Sequence, residues 1–197
     1  MIIVNAAFPV PCKLPGRGGM MTEHDGQRDG RASGRARHVI DATDLRALVA
    51  DHARLHGLCD RLEACADLLP EKLSHDEAGA LGRSLQAIVA GHRDQENAVI
   101  DALFARDGVD ALTAALLGRI RARHLSDAID ADDIVAVLSG ASRPGAEAFG
   151  FMLRGFFEGC RAAMAFTELV VLLLGAPRLS HTARAVLIDS LCARRAV

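Results

Sequence analysis

Apolar residues recur every three or four positions along four long stretches of this chain. That spacing is the signature of amphipathic helices. The first, over residues 43–69, carries Leu45, Leu48, Val49, His52, Leu55, Cys59, Leu62, Ala66 and Leu69 on one face. The second, over residues 74–106, carries Leu81, Leu85, Ile88 and Val89, then His92 and Glu96, then Val99, Ile100 and Leu103. The third, over residues 109–126, carries Leu112, Leu116, Leu117, Ile120 and His124, and the spacing predicts a separate short helical piece over 131–138. The fourth, over residues 146–174, carries Phe149, Leu153, Phe156, Phe157, Cys160, Met164, Glu168, Val171 and Leu172. A last, shorter helix over 180–195 presents Ala183, Val186, Leu187 and Leu191 and is expected to pack across the others. The predicted fold is an all-α, up-down four-helix bundle with a short C-terminal helix.

Punctuation between the stripes supports these boundaries. Asp41 or Thr43 can cap the first helix, and Pro70 ends it. Ser74 followed by Glu77 reads as a capping box opening the second, and Gly108 reads as its stop. A loop at 140–144 precedes the fourth helix, which Gly175-Ala176-Pro177 terminates. Ser180 opens the last helix, and Arg194-Arg195 suits its negative C-terminal end. Residues 1–40 differ in kind. Pro9, Pro11, Pro15, the run Gly16-Arg17-Gly18-Gly19 and the Gly/Arg/Asp/Ser-rich stretch after it are expected to form a disordered tail, leaving 41–197 as the helical domain. The tail's basic residues suggest anion binding less than a plain solvated segment. Met20 and Met21 are plausible alternative starts.

Composition agrees with an all-α chain. Half of the 197 residues are hydrophobic, Ala and Leu dominate, and Tyr and Trp are absent. A formal charge of −2 gives no reason to expect nucleic acid as a partner. The five cysteines (Cys12, Cys59, Cys65, Cys160, Cys192) form no Cys-x-x-Cys pair and no disulfide framework, so a cytoplasmic location with reduced thiols is expected. No apolar run suits a membrane span. Phosphate-loop, nucleophile-elbow and helix-turn-helix signatures are absent.

The chemistry lies where the apolar stripes are interrupted. His92 and Glu96 stand four residues apart on one helix face. A carboxylate facing a core must be paired, protonated or bound to a cation. His52, His124 and Glu168 interrupt three further stripes, so each helix brings a ligand-type residue inward, the way helix bundles build metal sites. The alternative is that Gln95 faces inward in place of Glu96, and Thr167 in place of Glu168. Cys160 and Met164 read as core packing, with a Cu(I) site as the sharper alternative. His24, His38, His75 and His181 carry no expected function.

This order of residues resembles the hemerythrin-like (HHE cation-binding) family, over about residues 42–195. The family's pattern is a lone His, then His-x-x-x-Glu, then a lone His, then His-x-x-x-Glu, on successive helices. This chain has His52, His92 with Glu96, His124, and Met164 with Glu168. The resemblance implies a non-haem iron centre held by His52, His92, Glu96, His124 and Glu168, with two iron ions, one ion or an incomplete set. Met164 replaces a family histidine, and His56, Asp127 and Met164 itself are the possible substitute ligands. By resemblance the expected role is binding or sensing O2 or NO, or handling iron under oxidative stress. Binding is expected rather than turnover, because no dedicated substrate-binding residues are visible. The alternative is a metal-free regulatory bundle that docks a protein partner.

Overall fold

The computed structural model describes residues 42–71, 73–104 and 109–193. The expected tail, the cap at Asp41 or Thr43, the Gly108 stop and the Arg194-Arg195 ending lie outside the described residues and side chains.

Five α-helices follow in order: α1 (Ala42–Leu68), α2 (His75–Phe104), α3 (Ala111–Leu138), α4 (Ala146–Leu174) and α5 (His181–Ala193), with a 3-10 turn at Ala176–Arg178. Among the described residues there is no strand, and no helix is long and apolar enough to cross a membrane. Helix α1 packs on α2, α2 on α3, α3 on α4, and α4 closes the ring on α1, while α5 lies against α1 and α4. The connections force neighbours to run antiparallel. A 30-residue helix such as α2 is about 45 Å long at 1.5 Å per residue. Six connecting residues reach only about 20 Å when fully extended.

Local chemistry sets the ends. At the start of α2 the Ser74 hydroxyl donates to Glu77 Oε2 (2.6 Å), the Ser74 N–H donates to the same carboxylate (3.0 Å), and Glu77 N–H returns to the hydroxyl (3.3 Å). That is the reciprocal capping box. Asp110 caps α3 by accepting from Thr113 N–H (2.9 Å) and from its hydroxyl (2.8 Å). Helix α3 ends at Ser139, and Gly140 follows with φ +79°, a left-handed conformation that glycine adopts without a Cβ clash. Ser180 accepts from Ala183 N–H (3.1 Å) at the start of α5.

Helix α3 differs from expectation. The two expected pieces, 109–126 and 131–138, form one continuous helix, which begins at Ala111 after the Asp110 cap. No Gly or Pro separates them, and buried Leu117, Ile120, His124, Asp127, Ala131 and Ile134 keep one inward stripe at alternating steps of three and four. The acidic residues between are polar without being breakers. At the other end Leu112 is solvent-exposed and Thr113 takes the inward position.

The core is layered along the bundle axis. One apolar cluster joins Leu55, Leu62, Leu85, Ile134, Leu153, Phe156 and Met164. A second joins Leu45, Leu48, Val99, Leu103, Val171 and Leu187, and a third joins Ile100, Leu117, Ile120 and Val170. Burial of each such side chain contributes about 1.5–3 kcal/mol. Between the clusters lies a buried polar layer: Asp51 and His52 on α1, His92 and Glu96 on α2, His124 and Asp127 on α3, Thr167 and Glu168 on α4.

Candidate metal centre

Glu96 is the hub of that layer. Its side chain is 2% exposed, so its charge has left water and must be met by partners. His52 Nε2 lies 3.0 Å from Oε1, His92 Nε2 lies 3.5 Å from the same oxygen, and His124 Nε2 lies 2.8 Å from Oε2. The Thr167 hydroxyl donates to Oε2 at 3.2 Å. Burial pushes the Glu96 carboxyl up, but hydrogen bonds from His124 and His52 and the charges of His92 and His52 outweigh it and hold the group at about 2.

The far nitrogens of two imidazoles are held by further carboxylates. His52 Nδ1 donates to Glu168 Oε1 at 2.6 Å, and Ser190 of α5 donates to that oxygen at 3.2 Å. His92 Nδ1 donates to Asp51 Oδ2 at 2.8 Å. Asp51 also accepts from Arg54 at 2.7 Å, and it stays below the usual carboxylate range because the bonds from His92 and Arg54 outweigh its burial. A carboxylate on Nδ1 fixes the tautomer and ring plane and leaves Nε2 to face a cation, the arrangement found behind metal-bound histidines. His52, His92 and Glu96 each offer a ligand atom within 4.8 Å of the others, and all three are buried. This group can hold a metal ion, and its nitrogen and oxygen donors suit a borderline or hard transition metal.

The expected ligand set is thus partly gathered. His52, His92 and Glu96 form one group, and His124 joins it through the second Glu96 oxygen. Glu168 is fully buried but sits behind His52. Of the alternatives weighed from sequence, Gln95 is half-buried while Glu96 faces in, and Thr167 and Glu168 are both buried. Met164 is fully buried in the apolar cluster with Phe156 and Cys160. His56 is half-buried and outside the group. Asp127 pairs with Arg123 at 2.5 Å and accepts from Cys160 Sγ at 3.6 Å. The group that can hold a metal ion is therefore His52, His92 and Glu96, with Glu168 behind His52.

Asp51, Thr167 and Ser190 enter the network without having been expected as site residues. Asp51 left one trace in the sequence: an acidic residue beside His52 with Arg54 three positions on. Among protein-family models, curated proteins and solved structures, none matches this chain.

Proposed function

We propose that this protein is a non-haem iron-binding bundle of hemerythrin-like type, acting in the cytoplasm to bind or sense a small diatomic such as O2 or NO. The observation that carries the proposal is the meeting of three imidazole Nε2 atoms on one buried carboxylate, two of them backed by further carboxylates. In this reading His52, His92 and Glu96 hold one iron ion, with His124 beside them. Iron bound there supplies reversible coordination of the diatomic. The chain's own groups do the rest. Asp51 and Glu168 orient two rings, Thr167 steadies Glu96, and apolar clusters flank the layer. Iron is chosen over zinc or manganese because of the resemblance drawn from residue order. The four described cysteines are free thiols, which suits a reducing compartment.

One observation favours a second reading, a metal-free regulatory bundle. His52 is bonded at both ring nitrogens, and Glu96 at both oxygens. Its central pair is thus held by protein groups alone, and buried polar networks of this kind specify a unique packing.

Metal content separates the two. Protein purified anaerobically after growth with added iron is expected to retain near-stoichiometric iron, and Glu96→Ala is expected to lose it. Absence of metal from both proteins, with a wild-type thermal midpoint that added iron does not move, would establish the second reading in its place.

A further inference from the structure

A cleft of about 200 Å3 opens between α3 and α4 and reaches the polar layer. His92, Glu96 and His124 line it, together with Arg119 and Arg123, one turn apart on α3. On the α4 side Gly159, Ala162 and Ala163 leave space, with Phe166 and Thr167 beyond them. A Cβ on Gly159 would collide with the Arg123 guanidinium, so this glycine is what lets the arginine lie against α4. The volume falls below the roughly 300–1,000 Å3 of drug-sized pockets, so the occupant is small.

The charges of the lining state what kind of occupant. Asp127 is matched by Arg123. Glu96 lies within hydrogen-bond distance of His52 and His124, with His92 close by. Arg119 is left over: its guanidinium lies 4.8 Å from the Phe166 ring centroid, and among the described residues no carboxylate pairs with it. His124 Nδ1 is buried without a hydrogen-bond partner. The lining therefore sets one guanidinium without a carboxylate partner, Arg119, beside the Arg123–Asp127 pair, and two guanidinium groups suit planar oxyanions.

We propose that the cleft between α3 and α4 binds a small planar oxyanion of the carboxylate or nitrite kind, held by Arg119 and Arg123. This deepens the reading of the site as a metal centre and rests on it only at the floor, where the ion adds positive charge. The arginines act whether or not a metal is present.

The test uses the full chain. Formate and nitrite are titrated calorimetrically, with chloride holding ionic strength constant and iron content measured on the same samples. Saturable binding is expected, weakened about tenfold or more in Arg119→Met and in Arg123→Lys, which keeps a charge opposite Asp127 but loses the fork. A preference for one anion identifies the source chemistry. Binding that does not saturate, or that is equal in wild type and variants, overturns the proposal. If Arg123→Lys fails to fold, Arg119→Met decides alone, since that side chain is exposed. Arginine-dependent binding without iron would count against the metal centre alone. Iron-loaded protein that ignores both anions would count against the cleft alone.

Discussion

Asp51 shows how far a single side chain can shape the site without touching its centre. It holds His92 through Nδ1, while Arg54 holds it in turn. Asp51→Asn keeps the size of the group and removes the charge that makes the imidazole a strong donor. Metal affinity is expected to fall about 10–100-fold, with stoichiometry at saturation unchanged. Equilibrium dialysis against a competing chelator reads this directly, and Asp51→Glu is expected to recover part of the loss. A purely structural role would lower unfolding stability and leave the affinity where it was. Why Asp51 escaped a sequence reading is also a residue-scale matter. His92 and Glu96 are legible because a pair four residues apart on one stripe faces one way. Asp51 sits beside the α1 stripe, and it turns inward because α1 has helices α2, α4 and α5 against it. The number of neighbours, and hence the width of the buried face, is not written in the spacing of one helix.

At the scale of elements, caps were the most readable features and continuity the least. The Ser74–Glu77 box is visible in sequence because both partners are local. The spacing of apolar residues alone predicts two pieces for α3, whereas the buried Asp127, Ala131 and Ile134 carry the helix through. The cap gives a pH prediction. Hydrogen bonds from the Ser74 hydroxyl and then its N–H hold the Glu77 carboxyl below its usual range. A carboxyl depressed in the folded state stabilises the fold above its unfolded pKa, and that contribution disappears as pH falls through the folded value. Urea unfolding should therefore find Glu77→Gln less stable than wild type at neutral pH, with the gap closing on acidification below the ordinary carboxylate range. Titration of the buried layer affects both proteins alike and cancels in the difference, because distant sites add independently. An unchanged gap at acid pH would assign the effect to shape rather than charge.

Over the whole molecule, antiparallel order is what turns four separate stripes into one site. Along α1 the chain passes Leu48, then His52, then Leu55, while α2 runs the other way through Val89, His92, Glu96 and Val99. The polar residues of neighbouring helices then fall at one depth between apolar clusters. The fold class was legible because periodicity decides it. The roles within the layer were not, because whether Glu168 meets the centre or a histidine's far side depends on helix rotation, which spacing does not encode. This layer has a global thermodynamic consequence. A cation that binds only the folded chain stabilises it by mass action, about 2.7 kcal/mol when free metal exceeds the dissociation constant 100-fold. For a domain of this size each kcal/mol raises the thermal midpoint by about 2–4 °C. Wild type should thus melt higher as ferrous iron is titrated in anaerobically and return on chelation, whereas Glu96→Ala should melt at one temperature throughout. The self-paired network predicts a different response. Without metal binding, iron leaves the wild-type midpoint still, and Glu96→Ala melts lower at every concentration because His52 and His124 lose their shared acceptor. The slope of midpoint against free metal, rather than the midpoint itself, therefore distinguishes a cage built for a cation from a polar layer built for packing.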